Sequence, residues 1–353
     1  MMLSYQNVSR VMIEQFEDPF FIWENGKCYV DLNSGAGAFF FGYPDKEQRL
    51  LLEGTNLFDF PIVRELIGKL EELTGYCCPI LLTSGSEANE AALKLALRIQ
   101  GPDTKIAYET GCYFGRTGMA VMCSDDKRYN TFMPSNWKDT FRSSAQFDPS
   151  KSGIFITEPL PSNSLDWNLD QLMLMVQKCH ANGALVIDDE TKCAFRTGEL
   201  FAGSCLMPDI ITVSKSLASG FPLSAVLVKK ELASFCNDDW YSTTSGGHPQ
   251  GCQIALANLR HITDLAISKD FEKRFSGPLG RLFGDRVRIC GRYISIANID
   301  GWGFAKFCKS LEYVIYGRTH FVSFFPQLGM RMETFNLFIA LLENTDSWRK
   351  FLR

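Results

Sequence analysis

The chain has 353 residues, of which 46% are hydrophobic and 22% charged, and its formal net charge is -4. That balance belongs to an ordinary folded protein and excludes disordered, collagen-like and mucin-like chains. With no run of lysine and arginine there is no basic field for a nucleic-acid backbone, and no apolar run reaches membrane-spanning length. A cytoplasmic protein with neither a membrane nor a nucleic-acid partner is therefore expected. Of the twelve cysteines, Cys77 and Cys78 are adjacent and the others scattered singly. No CxxC pair exists from which a zinc site could be built, so no metal is expected and the thiols read as reduced, small apolar residues.

Before about Phe60 the pattern is irregular and rich in aromatics. NGKCYVDLNSGAG carries an Asn25-Gly26 hairpin signal, and GAGAFFFG has Gly35 and Gly37 without the GxGxxG spacing of a dinucleotide site. The run SGSEANEAALKLALRIQG predicts a helix over 84–101, with Glu87 in the first turn, Ala88, Ala91, Ala92 and Leu95 at helical spacing, and a terminal glycine. Short apolar stretches at 154–157, 184–188, 210–213 and 224–228 predict strands, and NLDQLMLMVQKCHAN predicts a crossover helix over 168–182 closed by Gly183. Strands alternating with helices make an α/β protein with a mostly parallel, doubly wound sheet. After about Arg260 the pattern turns irregular again, so a large domain over 60–259 and a smaller α+β domain from 1–59 and 260–353 are expected.

In such sheets ligands collect beyond the carboxyl ends of the strands. Glu158 follows the first strand (ITEP), Asp189 and Glu190 the second (VIDDE), and Lys215 the third (ITVSK). A lysine alone after a strand reads as a solvated surface residue, and an acidic pair as a loop or helix cap. A carboxylate and a lysine emerging side by side match instead the needs of pyridoxal phosphate: an amine to bind it covalently and an anion to keep its pyridine nitrogen protonated. The SGSEA helix start offers outward amides at the positive end of a helix dipole for the phosphate.

Seven segments in order, WENGKCYVDL, LLTSGSEANEAALKLA, GCYFGRTG, ITEP, HANGALVIDDETKCAFRTG, PDIITVSKSLASGFPLSAVL and STTSGGHPQGC, resemble the class III (omega) aminotransferases, pyridoxal phosphate enzymes of fold type I. The resemblance implies that Lys215 is the Schiff-base lysine and the base that shuttles the substrate proton. It puts Asp189 on the pyridine nitrogen, with Asp188 as the alternative one residue away. Thr191 and Tyr113 then face the two sides of the ring, Gly85 and Ser86 bind the phosphate, and Glu158 lines the site. Thr244 would reach the phosphate from a neighbouring subunit, which implies a homodimer with shared active sites. The reaction implied is ping-pong transfer of an amino group from an amino acid or amine to an oxo acid or aldehyde. Two alternatives stay open: an aminomutase of the glutamate-1-semialdehyde type, from the ungapped fit of DDETKCAFR, and a catalytically degenerate binding subunit. The continuation EPLPSNSLDW and Phe114 after Tyr113 depart from the family pattern, while Asn163 is placed as in its aminomutase-like branch. Arg318 is the nearest candidate for its C-terminal carboxylate-recognising arginine. His180 reads as a packed helix residue and His248 as a turn stabiliser.

Overall fold

The computed structural model describes residues 15–17, 21–24, 26–42, 60–124, 130–236 and 240–353. They form two compact units, one of the described residues within 44–195 and 200–262 and the other of those within 1–43, 196–199 and 263–353. The partition read from the sequence put the boundaries at 60 and 260 and did not include the short excursion at 196–199.

The chain opens with β1 (Gln15–Glu17), β2 (Phe21–Glu24) and β3 (Lys27–Asp31). The last two pair antiparallel with Glu24 opposite Lys27, and Gly26 sits in the turn at φ 69°, a conformation that glycine adopts without steric cost. Asn25 lies outside the described residues. The larger unit then contributes β4 (Cys77–Leu82), β5 (Ile106–Tyr108), β6 (Phe141–Ser143), β7 (Ile154–Thr157), β8 (Leu185–Asp189), β9 (Ile210–Val213) and β10 (Ser224–Val228). They make one seven-stranded sheet in the order β4-β10-β9-β8-β7-β5-β6. The run from β9 to β6 is parallel, and β10 is antiparallel to both of its neighbours. Every residue of β7, β9 and β10 is buried, which is why these strands read as continuous apolar runs and not as alternating ones.

The Gly85–Gln100 helix lays Ala88, Ala91, Ala92, Leu95 and Ala96 on this sheet. It starts where expected because the Ser84 side chain accepts from the Glu87 amide, and it stops at Gly101 with φ 106°. The Leu169–Ala181 crossover helix is capped in the same way, the Asn168 side chain accepting from the Gln171 amide, and Gly183 follows at φ 76°. His248 caps the Pro249–Leu259 helix through Nδ1. His180 is spent on Asp209, at 2.9 Å, beside the Lys229–Asp209 ion pair.

The second unit continues with β11 (Val287–Cys290), β12 (Tyr293–Ala297), β13 (Tyr313–Val314), β14 (Tyr316–Gly317) and β15 (Phe321–Phe324). Its two four-stranded sheets have the orders β1-β2-β3-β13 and β11-β12-β15-β14. Its core is aromatic: Phe271, Phe275, Phe304, Phe335, Phe338 and Trp348 are buried together, and the Phe271, Phe275 and Phe335 rings meet pairwise at 4.6–4.9 Å in tilted or edge-on contact. Two arginines are buried here. Arg292 lies 4.6 Å over the Phe271 ring, and Arg196 stacks between Phe40 and Phe325 while donating to the Gly37 carbonyl. Arg318 sits at the β14–β15 turn over the Tyr316 ring.

Candidate active site

The carboxyl ends of β7, β8 and β9 and the amino end of the Gly85–Gln100 helix belong to one compact unit, and most of the expected site residues stand there. Lys215 follows β9 and opens a short 3-10 turn, Lys215–Ala218, with a left-handed backbone at φ 46°. A non-glycine residue in that region costs about 1–3 kcal/mol and persists only where its surroundings hold it. The restraint is visible: Asn258 donates to the Ser216 and Leu217 carbonyls, and the Ser214 hydroxyl donates to the Leu223 carbonyl.

Asp189 and Asp188 take opposite faces of β8, as consecutive strand residues must. The Asp189 carboxylate turns toward the Gly85–Gln100 helix. Its Oδ2 accepts from Asn89 Nδ2 at 2.6 Å and its Oδ1 from the Thr191 amide at 2.8 Å. Asp188 turns the other way, with Oδ2 against Gly203, whose amide donates to Glu190. Among the described residues neither Asp188 oxygen has a hydrogen-bond partner. Burial first, then the Glu190 and Asp189 charges, push the Asp188 carboxyl well above its usual range. Of the pair, Asp189 alone is bonded to the Gly85–Gln100 helix and to the Thr191 amide.

Glu158 is buried and holds the Tyr113 loop in place. Its Oε2 accepts from the Tyr113 and Ser162 amides at 2.9 and 3.0 Å, and its Oε1 from the Ser162 hydroxyl at 2.6 Å. Burial and the neighbouring Asp189 charge raise its pKa, while Lys192 and the Ser162 bonds oppose the rise. In this loop the expected Tyr113 is anchored by its backbone, and Gly115, at φ 119°, leaves no room for a β-carbon beside Ser86. Thr244 is exposed, on a turn whose Gly246 abuts the Leu81 carbonyl; among the described residues no hydrogen bond joins it to the other expected site residues.

The phosphate group of pyridoxal phosphate needs amides without partners, a close backbone approach and no side chain in the way. Gly85 and Ser86 begin a 16-residue helix, so their amides have no acceptor within it. A β-carbon on Gly85 would lie 2.6 Å from Thr191 Cγ2 and 2.9 Å from Thr191 Oγ1, so only glycine fits. The Thr191 hydroxyl is buried and has no hydrogen-bond partner among the described residues. These residues suit the cofactor: Gly85, Ser86 and Thr191 for phosphate and ring, Asp189 for the ring nitrogen, and Lys215 for the carbon that accepts an amine.

Known proteins resemble the chain in sequence and in fold. The aminotransferase class III family model matches residues 154–279. The acetylornithine aminotransferase of Oceanobacillus iheyensis is 30% identical over 274 residues, 69% of this chain and 67% of that protein. The chain belongs to the class III aminotransferases. That of Clostridium acetobutylicum is 26% identical over 91% of this chain and 92% of its own length. The ornithine aminotransferase structure from Toxoplasma gondii ME49 shares the fold, with a TM-score of 0.84 and 22% identity over 97% of this chain and 91% of that one. As a class III aminotransferase of fold type I, the protein is a pyridoxal phosphate-dependent transaminase.

Residues of the site that were not singled out in the sequence include Asn89, Thr212, whose hydroxyl lies 3.2 Å from Asp189 Oδ1, and Ser162. The first two carried a signal, a polar side chain on the buried stripe of a helix and another inside a strand of buried apolar residues. Ser162 carried none, because its role follows from a loop conformation that has no periodicity.

Proposed function

We propose that this aminotransferase carries its cofactor on Lys215 and takes amino groups from the terminal amine of an ornithine-like donor. When bound, pyridoxal phosphate supplies the electron sink for the carbanion left after proton removal. Lys215 provides the amine that binds it and then, once freed by the incoming donor, moves a proton between the substrate's amine-bearing carbon and the cofactor's C4' carbon. Asp189 holds the proton on the ring nitrogen. Gly85 and Ser86 hold the phosphate, Tyr113 and Thr191 flank the ring, and Glu158 keeps the Tyr113 loop in place. The donor class rests on the names of relatives, two acetylornithine aminotransferases and a succinylornithine transaminase among them. The observation that carries the site is the strained backbone of Lys215 at the end of β9, next to the strand that ends in Asp189.

The same reading includes a cytoplasmic homodimer in which Thr244 reaches the phosphate held by the neighbouring subunit. The test is a panel of acetylornithine, ornithine, diamines and α-amino acids added to the cofactor-loaded protein without acceptor. Acetylornithine or ornithine should convert the visible absorption to that of the aminated cofactor. Conversion by α-amino acids alone would overturn the donor class.

A further inference from the structure

We propose that Asn89 is the positioning residue of the cofactor site, aligning Asp189, the Tyr113 loop and the Lys215 strand through one side-chain amide. The inference rests on the function proposed above and extends it to a residue outside the cofactor's own contacts. Asn89 is 1% exposed and lies on the sheet-facing side of the Gly85–Gln100 helix. Its Nδ2 donates to Asp189 Oδ2 at 2.6 Å and to the Phe114 carbonyl at 2.8 Å. Its Oδ1 accepts from the Thr212 hydroxyl at 2.7 Å, and that hydroxyl also lies 3.2 Å from Asp189 Oδ1.

Both amide protons are therefore committed to acceptors and the oxygen to a donor, so one orientation of the side chain satisfies every partner. Reversing it would turn the oxygen onto a carboxylate and a carbonyl. The three partners belong to three elements: Phe114 follows Tyr113, Asp189 ends β8, and Thr212 lies on β9 three residues before Lys215. Aspartate has the same shape but no donor, and would set acceptor against acceptor at two of the three contacts. Alanine would leave Asp189 and the Phe114 carbonyl each short of a donor in a buried place, where that loss is costly. Asp188, on the opposite face of the strand, gains nothing from Asn89. The amide thus acts on Asp189 alone of the pair.

The test compares Asn89→Ala, Asn89→Asp and Thr212→Val with wild type. Three quantities are read: pyridoxal phosphate affinity of the apoprotein, the pH at which the absorption of the lysine-bound cofactor changes, and the melting temperature of the apoprotein. The expected result is an affinity loss of about tenfold or more for Asn89→Ala, the size of one buried hydrogen bond to a charged group. A larger loss is expected for Asn89→Asp and a smaller one for Thr212→Val, with the absorption change displaced in pH in all three. A role confined to packing would lower the melting temperature and leave the affinity and the pH midpoint as in wild type, and that result would overturn the inference. Thr212→Val keeps the side-chain volume, so it decides the question even if the Asn89 variants do not fold. A wild type that never shows a lysine-bound absorption band would overturn the Lys215 reading first, and this inference with it.

Discussion

Gly85 abuts Thr191 in the cradle, and replacing it by alanine separates packing from binding. The new β-carbon would meet Thr191 Cγ2 at 2.6 Å, Oγ1 at 2.9 Å and Cβ at 3.4 Å, whereas carbon atoms rest about 3.5–4.0 Å apart. One of the two backbones must give by nearly an ångström. Thr191 is buried and flanked by buried residues on both sides, and as a β-branched residue it has few rotamers into which to retreat. Overpacking of this kind costs about 1–3 kcal/mol, and alanine's helical preference over glycine returns at most about 1 kcal/mol. Gly85→Ala should therefore destabilise the apoprotein by about 1–2 kcal/mol and weaken pyridoxal phosphate binding at least about tenfold. Thr191→Ala removes the two atoms that collide. In the double variant the stability loss should shrink to less than the sum of the single losses by about 1 kcal/mol, the signature of direct contact. Denaturant unfolding of the four apoproteins and absorption titration with the cofactor measure both effects. Additive stability losses, or undiminished cofactor affinity in Gly85→Ala, would refute the reasoning.

Two further predictions follow from buried carboxyls. The Asp188 pKa is raised in the folded state by burial and then by the Glu190 charge, so the folded protein binds more protons and its stability falls as pH rises from the ordinary carboxyl range toward the raised value. Asp188→Asn should accordingly match wild type in stability near pH 4 and exceed it near pH 7, as read by thermal melts across that range; an equal difference at both ends would count against the buried neutral acid. Glu158 accepts three bonds from Tyr113 and Ser162, and a leucine there would leave both backbone amides without an acceptor. Glu158→Leu should cost about 1–3 kcal/mol and loosen the Tyr113 loop, measured as faster amide exchange at Tyr113. Unchanged exchange and stability would remove Glu158 from that role.

The strands at 154–157, 210–213 and 224–228 were legible residue for residue, because a strand buried on both faces leaves a short apolar run between polar ends. β8 was read one residue early. Its last residue is a carboxylate paired with Thr212 inside the sheet, and an aspartate bears the same letter whether it ends a strand or begins a loop. The helix over 84–101 showed its caps and its apolar stripe, yet Asn89 passed unremarked on that stripe, since the meaning of a buried amide depends on partners 25, 100 and 123 residues away. The chemistry of Lys215 was legible from its company at the strand ends; its left-handed backbone was not, because ITVSK contains no glycine or proline to announce a turn. In the aromatic unit the hairpins were visible in outline, but not the return of 196–199 to that unit, which depends on long-range packing.

The central claim is that Lys215 forms the covalent link to pyridoxal phosphate. Borohydride reduction of the cofactor-loaded protein fixes that link as a stable amine, and peptide mass mapping then identifies the lysine. The adduct should fall on the peptide containing Lys215 and be absent from Lys215→Ala, which should still fold and bind the cofactor reversibly. An adduct on another lysine, such as the buried Lys192, or none in a correctly folded and loaded wild type, would contradict it.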